Sequence, residues 1–215
     1  ILTEPQLEQA EMAGYKKVEE LYNQVNLMDP FAISFDQKMV NELLMMVEQK
    51  KLIQRFAPKA EIMVRQPQVS FQEGVMRIMG EVEYKERKLI LTVGLEAEIA
   101  GQGQLRMRLL PISAGAVPLP KSLVQEYLEQ IAAMVNQMWI ASKAEERIDK
   151  NGGSDNILRP TIDTFMAALQ ELVKGQEVTI DSTFCVDDDI MARLTGVEIA
   201  DGRVVLAVQP FPMKS

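Results

Sequence analysis

Glu81, Glu83, Glu96 and Glu98 fall on the polar side of neighbouring alternating segments, with Arg77, Arg106 and Arg108 among them. Carboxylates held in pairs are the groups of general acid–base chemistry and of carboxylate-only glycosidases, because one can keep its proton while its neighbour stays ionised. The plainer reading of the same spacing is a set of cross-strand ion pairs on the wet side of a sheet. A second acidic group, Asp187, Asp188 and Asp189 with Asp181 nearby, has the oxygen ligands a hard cation needs. Three consecutive side chains alternate along a strand and cannot all turn to one ion, and no EF-hand spacing is present, so a solvated hairpin loop is expected there. Gly101-Gln102-Gly103 reads as a turn, since a hairpin and not a helix N-terminus follows it. The chain has no histidine, which removes Ser-His-Asp and Cys-His catalysis, histidine zinc sites and the usual proton shuttle at neutral pH. These observations lead to the expectation of a protein that is not an enzyme and uses no cofactor or metal.

The elements that would carry these residues are legible in the alternation. Met76, Ile78, Gly80, Val82 and Tyr84 share one face against Arg77, Glu81 and Glu83. After the charged turn from Lys85 to Lys88, Leu89, Leu91, Val93, Leu95, Ala97 and Ile99 continue the pattern, and Leu105, Met107 and Leu109 resume it beyond the glycine turn. This predicts an antiparallel meander with one apolar face. Pro118 and Pro120 stop the ladder and suit a helix start. Leu123, Val124, Tyr127, Leu128, Ile131, Val135, Met138 and Trp139 then form a helical stripe, so that a helix from Lys121 to about Glu146, roughly 40 Å long at 1.5 Å per residue, is expected to lie across the meander.

Upstream, Thr3 and Glu4 open a helix through Asn26, with Leu7, Val18, Leu21, Tyr22 and Val25 on its apolar side. Ser34 followed by Gln37 reads as a capping box for a second helix carrying Met39, Val40, Leu43, Leu44, Val47 and Phe56 and ended by Pro58. Lys59 to Arg65 and Val69 to Phe71 read as short strands around Pro67, with Glu73-Gly74 turning into the meander. Downstream, Asp149 to Asn156 is linker-like, Thr161 to Val173 is helical, and Glu177 to Phe184, Met191 to Ile199 and Val204 to Val208 are strands, the last two joined by Asp201-Gly202. The expected fold class is α+β: a long curved antiparallel β-meander packed against long amphipathic helices, with a C-terminal helix plus β-hairpin. Residues 1–215 form a single domain, with sub-lobes 1–148 and 157–215 joined by linker 149–156 as its internal division.

With 215 residues, 47% of them hydrophobic, the chain can bury a full core. Its formal net charge of −8 argues against nucleic acid and against electrostatic docking on anionic lipid. The lone Cys185 can form no intrachain disulfide and reads as a small core residue. No apolar run is long enough to span a membrane. The first residue is Ile1 and not methionine, from which a removed N-terminal anchor or signal segment is expected. Fourteen methionines, among them Met45, Met46, Met63, Met76, Met79, Met107 and Met134, fit either an irregular core or a groove that adapts to acyl chains.

Gly80, the Leu89 to Leu95 strand, Gly103-Gln104-Leu105-Arg106-Met107, and Ile112-Ser113-Ala114-Gly115-Ala116-Val117-Pro118-Leu119-Pro120 leading into Leu123-Val124 and Tyr127-Leu128 resemble the YpmS-type family of membrane-anchored bacterial envelope proteins. Ile33-Ser34-Phe35-Asp36 through Val40-Asn41-Glu42-Leu43-Leu44 resembles that family's opening helix. The resemblance covers about half the chain and departs from the family after Ile131. It implies kinship with the tubular lipid-binding superfamily, an N-terminal membrane tether and a place outside the cytoplasm. The expectation is a non-enzymatic extracytoplasmic domain that binds a lipid or other apolar ligand between sheet and long helix, through Ile78, Val82, Leu91, Val93, Leu95, Met107, Leu109, Val124 and Tyr127. The alternative is a cell-envelope protein–protein interaction or scaffold domain with a fully packed core.

Overall fold

The computed structural model describes residues 1–51, 64–84, 87–101, 103–120, 167–168, 171–172, 177–187 and 189–213. Helix α1, Glu4–Asn26, starts where the sequence signals it: the Thr3 backbone N–H donates to Gln6 Oε1 at 2.8 Å, and Pro5 sits in the first turn, where no helical donor is lost. Ala10 and Val25 are buried on its inner side. Gly14 lets it approach helix α2, Gln37–Gln49, so closely that a Cβ there would lie 3.1 Å from Leu43 Cδ2. The Lys50–Glu11 ion pair at 2.7 Å and hydrogen bonds between the Leu2 backbone and the Gln49 amide tie the two helices together.

Strand β1, Phe31–Asp36, precedes α2 and pairs antiparallel with β11, Arg203–Pro212. Ser34 is therefore not a helix cap. It lies opposite Val205 in the ladder, and the residue preceding α2 is Asp36. α2 ends at Gln49, with Lys51 in the left-handed region, and Phe56 lies outside the described residues.

The meander is present as β2 (Val64–Gln72), β3 (Val75–Tyr84), β4 (Arg87–Ala100) and β5 (Gln104–Leu109). Glu73 and Gly74 both take positive φ, the turn that matches the twist of a two-residue hairpin. A small hairpin, β6 (Ser113–Ala114) and β7 (Val117–Pro118), folds back so that Ala114 lies opposite Leu91. β8, Val178–Asp181, adds to β5 and completes the order β2-β3-β4-β5-β8. The second sheet, β1-β11-β10-β9, contains β9 (Thr183–Asp187) and β10 (Ile190–Ala200), and Gly202 at φ 76 turns β10 into β11.

Ser182 is the corner between the sheets. It is 4% exposed, its N–H donates to Gly103 O at 2.9 Å, its hydroxyl donates to Leu194 O at 2.9 Å, and its carbonyl accepts from Leu194 N–H at 3.1 Å. Every polar group of the buried corner is thereby satisfied. Elsewhere Gly74 N–H donates to Ile199 O and Gly202 N–H donates to Phe71 O, each at 3.0 Å, and so lock the hairpin tips to each other.

The expected fold class, a meander against long amphipathic helices with an appended C-terminal helix plus hairpin, is corrected. Strands take up 53% and helix 28% of the described chain, with α1 and α2 as the two helices described in full and two antiparallel sheets. The C-terminal strands are not an appendage: β8 extends the meander sheet, while β9, β10 and β11 build a second sheet with the N-terminal β1. The physical reason is that sheet partners are chosen by long-range burial, which leaves no periodic mark in the strand that receives them. The expected helix from Lys121 to Glu146 and the linker at 149–156 lie outside the described residues. Of the expected helix from Thr161 to Val173, residues Ala167, Ala168, Glu171 and Leu172 are described and are helical.

Candidate functional site

The meander sheet has two faces of opposite chemistry, fixed by its register. Ile78 lies opposite Val93, Met76 opposite Leu95, Leu95 opposite Leu109 and Ala97 opposite Met107, so Ile78, Val82, Leu91, Val93, Leu95, Met107 and Leu109 all belong to one apolar face. Val124 and Tyr127 lie outside the described residues.

Among the described residues that face is covered in two places. Val82 (4% exposed) and Leu91 (8%) pack with Leu89, Ala114 and Leu119, so the β6–β7 hairpin closes one end. Met107 (4%) packs with Ala168 and Leu172, together with Leu95, Leu109 and Ile180, and so closes the other. The Ile78–Val93 pair falls between the two clusters. Ile78 is 42% exposed, although Val69 opposite it on β2 is 2% exposed, and Val93 is half-buried. From Leu91 to Leu95 this open window runs about 13 Å along β4, at ~3.3 Å per residue.

The opposite face carries the glutamates and arginines. Glu96 accepts from Arg108 Nε at 2.9 Å, with a second contact from Nη2, and Glu98 pairs with Arg106 at 3.0 Å, each directly across the β4–β5 ladder. Arg106 also reaches Glu177 at 3.4 Å, Lys88 pairs with Glu81 at 3.0 Å, and Arg65 lies 3.9 Å from Glu83. Glu73, Glu96, Glu98, Arg106, Arg108 and Glu177 line an open cleft of about 540 Å³. The hydrogen bond to Glu96, then the charge of that carboxylate, hold the Arg108 guanidinium above its ordinary pKa, so it stays a cation at every accessible pH. Each carboxylate of the expected acid–base set thus faces a cation on the wet side of the sheet. Such a lattice orders the strands.

Asp181 Oδ1 accepts from Thr183 N–H at 2.8 Å and shapes the chain beside the Ser182 corner, whereas Asp188 lies outside the described residues. Among the described residues no three histidine, cysteine, aspartate or glutamate side chains converge as a metal group would. Cys185 is half-buried, with its Sγ 3.3 Å from Met191 Sδ.

The sequence assigns Gln37 to a capping box and Asn41 only to the family resemblance, whereas in the structure the two close the sheet's edge. β2 is an outer strand whose free ladder groups would otherwise accept another chain. Asn41, in the middle of α2, receives Val69 N–H on Oδ1 at 2.5 Å and donates Nδ2 to Val69 O at 3.0 Å, while Gln37 Oε1 accepts Phe71 N–H at 3.0 Å. Two amide side chains stand in for a neighbouring strand. A signal existed: asparagine is a poor residue for a helix interior and needs a reason to be there. Among the described residues, no helix is long and apolar enough to cross a membrane. Compared with protein-family models, curated proteins and solved structures, the chain matches none, so its resemblance to the YpmS-type family rests on the quoted motif residues alone.

Proposed function

We propose that this is a non-enzymatic, extracytoplasmic domain, tethered to the bacterial envelope, that holds a lipid or other apolar ligand on the apolar face of the meander sheet. The observation that supports it is the window at Ile78 and Val93, which the described residues leave open between two packed clusters on the apolar face. A ligand laid there continues the apolar contacts already made on either side. Each methylene removed from water contributes about 0.8 kcal/mol, so several are enough for useful affinity without any polar chemistry. The charged face is a poor seat for the same ligand, because burying its ion pairs under an acyl chain removes their hydration.

Native mass spectrometry of protein purified without detergent, followed by solvent extraction, tests the reading together with uptake of a fluorescent fatty acid. Stoichiometric lipid or saturable uptake that is lost in Ile78→Asp is the expected result. A clean unliganded mass with no uptake would end it.

A further inference from the structure

Helix α1 buries one side and leaves a second apolar stripe in solvent. Met12 is 56% exposed, Tyr15 65%, Val18 66% and Tyr22 48%. At 100° per residue, Tyr15, Val18 and Tyr22 lie within about 60° of each other, with Met12 about 60° further round, over roughly 15 Å of helix. Single exposed apolar residues are ordinary on a protein surface, but an aligned run on one helix marks an interaction site. The charged groups on the same arc are acidic: Glu4, Glu8 and Glu19 are exposed and form no ion pair among the described residues. Among the described residues Glu11 pairs with Lys50 and Lys17 with Glu20, while Lys16 forms no ion pair.

We propose that this stripe is a docking surface for a basic amphipathic helix of a partner protein, distinct from the apolar window on the sheet. A helix packs its ridges into the grooves of another helix over this length, and lysines or arginines beside its apolar stripe would meet Glu4, Glu8 and Glu19. A second copy of this chain fits less well, because pairing α1 with itself sets glutamate against glutamate. An anionic membrane is repelled by the same groups.

The probe is a synthetic amphipathic helix of about 18 residues made only of leucine and lysine, with its leucine/glutamate counterpart as control, titrated at physiological salt and followed by fluorescence anisotropy. The leucine/lysine peptide should bind and the control should not. Affinity should fall at least about tenfold in Tyr15→Ser/Val18→Ser, which removes the apolar stripe, and comparably in Glu8→Lys/Glu19→Lys, which reverses the rim. All four positions are exposed, so circular dichroism of both variants should match the parent. Unchanged affinity in either variant, or equal binding of the control, overturns the proposal. So does a dimer in sedimentation that dissolves in Tyr15→Ser/Val18→Ser, which would assign the stripe to a second copy.

Discussion

Strands β3, β4 and β5 show two faces built on one backbone. On one side Leu89, Leu91, Val93, Leu95 and Ala97 meet apolar neighbours and are covered at both ends, while on the other Glu96 and Glu98 meet Arg108 and Arg106 and remain open to water. Burial on the first face is non-directional and grows with area, so its residues hold the fold and a gap in the cover becomes a seat for something apolar. Pairing on the second is directional but solvated, so it refines register and contributes little to the free energy of folding. Under the proposed reading, a site that binds by burial belongs on the first face, at the place the described residues leave uncovered.

Truncation deep in the apolar face should produce the largest effect. Met107→Ala leaves a cavity against Ala168 and Leu172 and should lower the unfolding free energy by about 2–5 kcal/mol, read as a shift in the urea midpoint at constant slope. A loss under 1 kcal/mol would mean that the cluster is not the sheet's anchor, and the contrast between the faces would collapse.

Next in size is the edge. Asn41→Ala removes two hydrogen bonds to Val69 and exposes part of β2, at a cost of about 1–3 kcal/mol. The variant should also self-associate at concentrations where the parent does not, which light scattering would detect. Asn41→Leu should fare no better, since it fills the space and leaves the same backbone groups unpaired. Full stability in either would show that α2 shields the edge by position alone.

Ile78 sharpens the comparison from within one face. Ile78→Ser removes a side chain that is 42% exposed, so its stability loss should stay near or below about 1 kcal/mol, whereas Val82→Ala, at a residue 4% exposed, should lose more. Fatty-acid uptake should follow the reverse order, abolished by the first and kept by the second. Parallel losses of stability and uptake in both would mean that the window is ordinary core.

What the sequence disclosed divides along the same physical line. α1 begins and ends where its cap and its composition say, the meander follows from strict alternation, and Asp201-Gly202 marks its hairpin, because each is written within a few residues. Long-range partnership is not. β1 pairs with β11 from the far end of the chain, and its Ser34 looks like a helix cap until that pairing is seen. Glu177 to Phe184 reads as one strand because Ser182 interrupts no pattern, although the chain changes sheets there. For the candidate site, the sharing of one face was legible, while the bracketed window was not, since cover depends on where β6, β7 and Leu172 come to rest.

The charged face should give the smallest response. Arg106→Gln removes the partner of both Glu98 and Glu177, yet all three are about half exposed, so stability should change by no more than about 0.5 kcal/mol. Raising the salt concentration should screen what little the pairs supply. For Arg108 the sign is set by its raised pKa: the contribution is complete at all pH values below the guanidinium range and is lost only as pH rises through it, so the pair with Glu96 adds no pH dependence on the arginine side. Arg106→Gln/Arg108→Gln should therefore unfold near the parent's urea midpoint and keep uptake of the fluorescent fatty acid. A large loss of uptake in that variant at unchanged stability would move the ligand to the 540 Å³ cleft and reverse the roles of the two faces.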